Sequence, residues 1–351
     1  MLFSIAKKAR QFTAGTIIKR SHSVSAGSSR RIALGLSMLM AASAGSVAEA
    51  NTLVRVTSTY GDFTLELFDD QTPNTVNNFL GYVDRGDFDM TVVHRSVSNF
   101  VIQMGAYNWL GDCVSDAPQP GINCSAVYTQ QQDPVVNEPV VSNTEGTIAM
   151  AKLGGNPNSA TSQWFINLVD NSEALDDQNG GFTAFGRILG KGLSVGQEIN
   201  ELEVSDLRQG NPQSPAPTSI PLRGVATNLP LTENLVLMSA YRVDRFSTAM
   251  HIFEYSSGRL AAYVNAGDLG NYSMQFNLVE GDGEVIFELD TGNMVPLEIT
   301  PEGMANYLPD EQKVAIPQVE INNNGSVSVL NNVVLRMIDE SQMRFVLESY
   351  E

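Results

Sequence analysis

Alternating apolar positions near the start of the chain predict a β-hairpin. Phe63, Leu65 and Leu67 are separated by polar residues, and a second apolar run lies at residues 54–56, before the turn at residues 60–62. Strict alternation buries one face of a strand, and a turn containing Gly and Asp between two such runs is typical of a hairpin. The chain after residue 50 therefore begins with paired strands.

Helical spacing appears twice among these strand patterns. Thr72 stands at an N-cap position and Pro73 at the first helical position, and they are followed by Val76, Phe79, Leu80 and Val83. A second helix is predicted over residues 193–202, after the turn at residues 190–192. Further strands are predicted at residues 91–104, 147–151, 163–168, 182–188 and 235–241. Because strands dominate and the two helices lie far apart, the pattern indicates a mainly β protein, and a closed antiparallel barrel is favoured over a parallel sheet.

The pattern changes after residue 243. Residues 273–279 and 285–289 alternate on either side of a Gly-Asp-Gly turn, and the turn at residues 322–325 separates two further runs. We therefore expect a barrel domain at residues 51–243 and a small all-β C-terminal module at residues 244–351, in which we find no chemical motif. Residues 1–50 form a separate N-terminal segment.

The charge excludes one class of partner. The 351 residues carry 21 Lys and Arg against 39 Asp and Glu, a formal net charge of −18. Both segments after residue 50 are acidic, and a nucleic-acid-binding surface needs clustered positive charge, so no nucleic acid is expected as a partner.

Residues 1–50 predict a secretory signal. They carry seven basic residues and one acid, and an uncharged stretch at residues 32–47 leads to Ala48-Glu49-Ala50, which fits a signal-peptidase site. A membrane anchor is the alternative, but it needs about 20 apolar residues. We expect cleavage near Ala50, a periplasmic or otherwise exported protein, and no stable membrane insertion afterwards. A twin-arginine route through Ser29-Arg30-Arg31 and a downstream translation start are left open.

An exported chain enters an oxidising compartment, in which Cys113 and Cys124 can form a local disulfide. Two free thiols are the alternative. No metal site is expected, because C-x-x-C is absent and only His94 and His251 remain after residue 50.

Two short motifs have better structural than functional interpretations. Residues 192–196 match the nucleophile elbow G-x-S-x-G, but the only histidine after the serine is His251, in the C-terminal module, so a helix N-terminus is favoured over a hydrolase. Residues 176–180 lack the alternating ligands of a calcium loop, and a solvated turn is favoured.

Polar residues embedded in apolar runs recur as short blocks. They are His94-Arg95, FVIQMG at residues 100–105, Asn137-Glu138, GTIAMA at residues 146–151, NSATSQWFIN at residues 158–167 and GGFTAFGR at residues 180–187. In this order and spacing the blocks strongly resemble the cyclophilin family of peptidyl-prolyl cis/trans isomerases, over residues 53–243.

The resemblance implies an eight-stranded antiparallel barrel with a helix closing each end, and an enzyme that needs no cofactor. It aligns Arg95 with the catalytic arginine and Gln103 and Gln163 with the polar residues beside it. It also implies a substrate-binding surface for the proline ring and the peptide, made of Phe100, Val101, Phe165, Leu175, Phe182, Ala151 and Lys152. His94 is expected to be structural and not a base.

Four positions depart from the family pattern: Val101 replaces the common Met, Lys152 stands where Asn is frequent, Ala174 stands where Trp or Phe is usual, and Phe182 stands where His or Tyr is found. Because Ala174 removes an aromatic wall, weak cyclosporin binding is expected.

The predicted function is isomerisation of Xaa-Pro bonds during the folding of exported proteins, with proline-containing polypeptides as partners. One alternative is a proline-peptide-binding or chaperone-like module with little turnover. Another is an interaction protein whose function lies in residues 244–351. Client proteins, the role of residues 244–351 and the oligomeric state are left open.

Overall fold

The computed structural model describes residues 51–111, 126–208, 217–224, 231–281, 283–323 and 325–351. Residues 51–351 form one compact unit. The predicted signal segment at residues 1–50 lies outside the described residues, and so do Cys113 and Cys124, so the cleavage site and the disulfide stay predictions.

The first part of this unit is an eleven-stranded antiparallel sheet. Its strands are β1 Leu53–Ser58, β2 Phe63–Leu67, β3 Thr91–Val92, β4 Arg95–Val97, β5 Val101–Met104, β6 Tyr107–Trp109, β7 Ala126–Tyr128, β8 Thr147–Met150, β9 Trp164–Asn167, β10 Ala184–Ile188 and β13 Leu237–Val243. Their order in the sheet is β4-β5-β9-β8-β10-β2-β1-β13-β3-β6-β7. Strands β11 (Val204–Ser205) and β12 (Ile220–Pro221) pair separately. Strand β4 therefore lies at one edge of the large sheet.

The expected closed eight-stranded barrel is wrong in strand number and in closure. The sheet has eleven strands, and among the described residues no pairing joins β4 to β7. Strands β6 and β7 extend it beyond β3 on either side of residues 112–125, where the sequence shows no strand periodicity. Side chains from β1, β2, β5, β8, β9, β10 and β13 nevertheless meet in one apolar core, so the sheet curves around that core as a barrel wall does.

Three α-helices are present among the described residues, where two were expected: α1 Pro73–Arg85, α2 Ser172–Leu175 and α3 Leu193–Asn200. Helix α2 is a single turn, too short to give a helical period in the sequence. Helix α1 packs its apolar face into the barrel core. In the described part of the chain, no helix is both long enough and apolar enough to cross a membrane.

A distant carboxylate caps helix α1. Thr72 holds the N-cap position, but its side chain makes no capping hydrogen bond. Instead the backbone N–H groups of Asn74 and Thr75 donate to the Glu138 carboxylate at 3.2 and 2.9 Å. Burial alone would raise the pKa of Glu138, but these donors lower it below its usual value. The helix is thus tied to the loop before β8.

The C-terminal part is larger than the small module expected. It is one eight-stranded sheet of β14 Ile252–Glu254, β15 Arg259–Asn265, β16 Asn271–Val279, β17 Ile286–Leu297, β18 Ala305–Leu308, β19 Lys313–Asn323, β20 Ser326–Asp339 and β21 Arg344–Ser349. Its order is β14-β15-β16-β17-β21-β20-β19-β18, and parallel pairings of β14 with β19 and of β15 with β18 close it on itself. The second sheet is thus a closed layer of its own.

A buried ion pair joins the two sheets. Arg55 of β1 pairs with Asp62 at 2.7 Å and donates to the Ala249 carbonyl at 2.8 Å. The hydroxyl of Tyr263, on β15, donates to the same Asp62 carboxylate at 2.5 Å. Burial works against the charge of Arg55, but Asp62 raises its pKa above the usual value. The C-terminal sheet thus packs directly on the barrel. The proposed division after Val243 stays a prediction.

Candidate active site

Strand register brings the candidate catalytic side chains onto one face. Arg95 of β4 lies opposite Gln103 of β5, and Gln103 lies opposite Phe165 of β9. Directly opposed residues of antiparallel strands share a face. Ile102 and Ile166, which alternate with them, point into the barrel core. Arg95, Gln103 and Phe165 therefore line up on the outer face of the barrel wall.

A chain of hydrogen bonds orders the polar side chains. Nη1 of Arg95 donates to Oε1 of Gln103 at 3.3 Å, and Nε2 of Gln103 donates to Oε1 of Gln163 at 2.8 Å. Arg95 is half-buried, and burial lowers its pKa, but a guanidinium stays protonated in proteins. The arrangement presents an oriented cationic donor beside Phe165.

An apolar cluster borders this chain and is separate from the main core. Val101, Phe165 and Leu175 are buried in it, together with Ala149 and Ala184. The rings of Phe165 and Phe182 pack edge to face at 5.9 Å. All the apolar residues that the resemblance assigned to substrate binding meet in this cluster: Phe100, Val101, Ala151, Phe165, Leu175 and Phe182. Part of the surface of Phe100, Ala151 and Phe182 is exposed and available to a ligand.

Buried amides hold the cluster from behind. Asn167 of β9 donates to the Thr147 hydroxyl at 2.9 Å, and Asn171 donates to Oδ1 of Asn167 at 2.8 Å. Asn171 also donates to the Phe100 carbonyl at 3.0 Å. Sequence reasoning missed this supporting role of Asn171. The signal that could have found the network was a polar Asn167 at the end of the apolar run at residues 164–166.

Lys152 ties the end of β8 to the loop that carries Phe182. Its ammonium group donates to the carbonyls of Asn179, at 3.0 Å, and Gly181. It also lies 4.9 Å from the centre of the Phe182 ring, a cation–π contact. Burial lowers the pKa of Lys152. The side chain thus braces one wall of the cluster, a role that the resemblance did not imply.

Ala174 presents only a small side chain beside Leu175, a member of the cluster. It lies on the single turn of α2, next to the buried Leu175, and is itself exposed. A methyl group there covers little of the surface that a larger side chain would cover.

The outer edge of β4 is covered by Ser219, for which the sequence analysis predicted no strand. Ser219 forms an isolated parallel bridge with Arg95, and the Ser96 backbone N–H donates to the Ser219 carbonyl at 2.8 Å. A single bridge leaves no periodic pattern, so no sequence signal pointed to it. The strand of Arg95 is therefore held from both sides.

His94 is buried next to the site and is poorly suited to act as a base. Burial lowers its pKa to about 4, and its ring packs edge to face on Tyr107 at 5.5 Å. A neutral imidazole with so low a pKa is a weak proton acceptor at pH 7. Among the residues that the structure describes, no three His, Cys, Asp or Glu side chains are grouped so that they could hold a metal ion.

Comparison with known proteins gives one consistent family. The family model described as cyclophilin type peptidyl-prolyl cis-trans isomerase/CLD matches residues 53–220. A peptidyl-prolyl cis-trans isomerase of Acinetobacter baylyi is 32% identical over 171 residues, which cover 47% of this chain and 82% of that protein. Peptidyl-prolyl cis-trans isomerase B of Escherichia coli is 34% identical over 155 residues, which cover 42% of this chain and 83% of that protein.

A solved structure is also similar to part of this chain. The cyclophilin type peptidyl-prolyl cis-trans isomerase of Cryptosporidium parvum, crystallised in the presence of the dipeptide Ala-Pro, is 21% identical with a TM-score of 0.35. The match covers 54% of this chain and 98% of that chain.

Proposed function

The chain belongs to the cyclophilin-type peptidyl-prolyl cis-trans isomerases and has their activity, and we propose that Arg95 and Gln103 perform this reaction beside the apolar cluster. The observation that carries the assignment is the hydrogen-bonded chain from Arg95 through Gln103 to Gln163, which runs alongside Phe165.

The reaction needs no bond to break. Rotation about a peptide bond is opposed by about 18–20 kcal/mol because the nitrogen lone pair is delocalised into the carbonyl group. In the twisted state the lone pair returns to the prolyl nitrogen, which becomes a hydrogen-bond acceptor. A donor that reaches this nitrogen contacts it only in the twisted state, so the interaction lowers the barrier without tightening ground-state binding.

Arg95 suits this role because its guanidinium donates and stays charged. Gln103 fixes the direction of the donor: its own amide N–H is engaged by Gln163, so its oxygen faces Arg95. The adjacent apolar side chains exclude water and strengthen the interaction between the cation and the developing lone pair.

The apolar cluster holds the proline ring, with Val101, Phe165 and Leu175 beneath it. The peptide runs along Ala151 and Lys152. The Ala151 backbone N–H is occupied by the Gln163 carbonyl at 2.9 Å, so the strand offers its other backbone groups to the substrate. Substrates are therefore extended segments that contain proline.

The substrates are exported polypeptides. The support for this is the N-terminal sequence: a basic segment, an uncharged stretch and Ala48-Glu49-Ala50 are the parts of a secretory signal. Uncatalysed prolyl isomerisation takes tens of seconds or more, slow enough to limit folding. Fractionation of producing cells, with N-terminal sequencing of the product, tests export: a mature chain beginning at Asn51 supports it, and an uncleaved chain in the cytosol contradicts it.

The assignment of Arg95 is tested by exchange NMR on a proline-containing peptide. We expect fast cis–trans exchange with the wild type and a loss of about a hundredfold or more with Arg95→Ala. Arg187→Ala is the matched control, because Arg187 is an exposed arginine of β10 paired with Glu66 at 2.6 Å. Equal exchange in the wild type and Arg95→Ala would remove Arg95 from its role. Peptide binding without exchange, even in the wild type, would favour a binding module.

A further inference from the structure

The segment at residues 217–224 contacts the strand of Arg95 and the C-terminal sheet at the same time. On one side Ser219 bridges to Arg95 and accepts from the Ser96 backbone N–H. Strand β4 is an edge strand of the barrel sheet, so this segment is its only strand-like neighbour besides β5 among the described residues. Its position therefore affects where β4 lies.

An ion pair anchors the far end of the segment. The guanidinium of Arg223 pairs with the Glu298 carboxylate, which follows β17 of the C-terminal sheet. Arg223 is nearly buried and also donates to the carbonyls of Leu235, at 3.0 Å, and Thr232, at 2.8 Å. Glu298 is fixed in turn, because its backbone N–H donates to the Thr59 carbonyl at 2.8 Å. The carboxylate is thus held where the two sheets meet.

Apolar packing gives a second, independent link. Val295 of β17 is 1% exposed, and it shares an apolar cluster with Ile220 and Leu222 of the segment. The remaining buried members of this cluster belong to the barrel part: Met90, Val92, Trp109, Leu235 and Leu237. A side chain of the C-terminal sheet therefore completes the packing beneath the segment that covers β4.

We infer that the C-terminal sheet positions the catalytic strand: Val295 and Glu298 hold residues 217–224 against β4 and so fix the direction of Arg95. This gives residues 244–351 a function in the reaction itself. The inference rests on the proposed role of Arg95. Val295 and Glu298 are positioning residues, because neither lies in the apolar cluster that takes the proline.

A small displacement of Arg95 weakens a contact made only in the twisted state and leaves the apolar pocket intact. Loss of either link should therefore lower kcat and leave KM nearly unchanged. For Glu298→Gln and Val295→Ala we expect kcat to fall by about two- to tenfold with KM within about twofold, since a misplacement of about 1 Å can cost a hundredfold. The Arg95 side-chain N–H resonance should shift in both variants.

The control removes a glutamate of similar exposure from another ion pair of the same sheet. Glu288 pairs with Arg344 at 2.9 Å and is 41% exposed, close to the 46% of Glu298, and Glu288→Gln should change neither kcat nor the Arg95 resonance. Glu298→Asp keeps the charge and should recover most of kcat. Urea unfolding of each variant separates stability from turnover.

The inference is overturned if Glu298→Gln and Val295→Ala keep wild-type kcat and an unshifted Arg95 resonance while Arg95→Ala is inactive. It is also overturned if Glu288→Gln lowers kcat as much as Glu298→Gln does. Wild-type activity of Arg95→Ala would instead contradict the proposed function.

Discussion

Arg95 and Gln103 face each other across the β4–β5 pair, and the guanidinium donates a 3.3 Å hydrogen bond to the amide oxygen. The amide group of Gln103 donates in turn to Gln163 at 2.8 Å. This second bond decides which end of the amide faces the arginine. A neutral side chain with both a donor and an acceptor is therefore needed at position 103.

Replacing Gln103 should lower activity through Arg95. For Gln103→Leu we expect kcat/KM to fall by about tenfold or more, because a hydrogen bond to a charged group contributes about 1.5–3 kcal/mol and 1.4 kcal/mol is tenfold in rate. Gln103→Glu keeps an acceptor towards Arg95 but cannot donate to Gln163 when ionised. Its activity should lie between those of the leucine variant and the wild type. A protease-coupled isomerase assay measures all three, and full activity of the leucine variant would contradict the prediction.

Ala174 offers a test of ligand preference. An aromatic residue on the exposed turn of α2 would add a wall beside Leu175. For Ala174→Trp we expect cyclosporin to bind at least tenfold more tightly than to the wild type, because a buried aromatic ring contributes more than the 1.4 kcal/mol that tenfold requires. Isothermal titration calorimetry gives both dissociation constants. Tight binding by the unmodified protein would show that the missing aromatic side chain is not what weakens the complex.

A pair of carboxylates makes the contact between the sheets sensitive to pH. Burial, followed by the negative charge of Asp290, raises the pKa of Asp89 to about 7. Arg259 lowers this pKa, Asp87 raises it, and the hydrogen bond from the side chain of Asn293 lowers it. Burial also raises the pKa of Asp290. The folded protein therefore holds a proton on Asp89 that the unfolded chain releases at about pH 4.

Asp89 should lower the stability of the folded state as the pH rises. Between pH 4 and 7 the folded state binds more protons than the unfolded state, so the free energy of unfolding falls with rising pH across this range. An asparagine side chain at position 89 cannot ionise. We therefore expect the free energy of unfolding of Asp89→Asn, minus that of the wild type, to rise by about 2–4 kcal/mol from pH 4 to pH 8. Urea titrations at both pH values measure this change. Asp70→Asn, at an exposed position, is the control, and parallel pH dependence of Asp89→Asn and the wild type would contradict the prediction.

The cap of α1 should show the opposite pH dependence. Glu138 has a pKa below its usual value because Asn74 and Thr75 donate to the ionised carboxylate. The ionised carboxylate stabilises the fold fully above about pH 4.3, the usual pKa of Glu. This stabilisation is lost as the pH falls through the lower pKa that Glu138 has in the folded state. For Glu138→Ala we expect a loss of about 1–2 kcal/mol at pH 7 that disappears near pH 2.

Glu138→Gln separates charge from hydrogen bonding in this cap, since the amide oxygen still accepts but carries no charge. The loss of stability of Glu138→Gln at pH 7 should be smaller than that of the alanine variant. Thermal unfolding at pH 2 and 7 provides the comparison. An alanine variant whose deficit is the same at both pH values would show that the ionised carboxylate is not the stabilising species.

Much of the barrel could be predicted because its strands are half-buried. Phe63, Leu65 and Leu67 all point into the core, so alternation revealed β2 directly. The helix beginning at Pro73 could be predicted because it also buries one apolar face. The candidate site could be predicted residue by residue only from the resemblance. The register that places Arg95 opposite Gln103 follows from a two-stranded pairing that hydrophobic periodicity alone does not specify.

The other parts of the fold depend on contacts that produce no periodic hydrophobic pattern in the sequence. In the region of β17 a strand was predicted over residues 285–289 only. In the structure β17 continues to Leu297, and residues 290–293 form a bulge opposite Gln275 in β16. The bulge carries Asp290 towards Asp89, so the pH-sensitive pair arises from an irregularity that a regular strand pattern does not predict.

The pairing of β1 with β13 also determines when the barrel sheet can form. Leu53 pairs with Val243. The edge of β1 that faces β13 therefore stays unpaired until the ribosome has made nearly the whole barrel. In the second sheet the parallel pairings of β14 with β19 and of β15 with β18 likewise join strands that lie far apart along the chain. Contacts so distant along the chain form slowly. In a refolding time course, isomerase activity should therefore appear later than helix formation measured by circular dichroism.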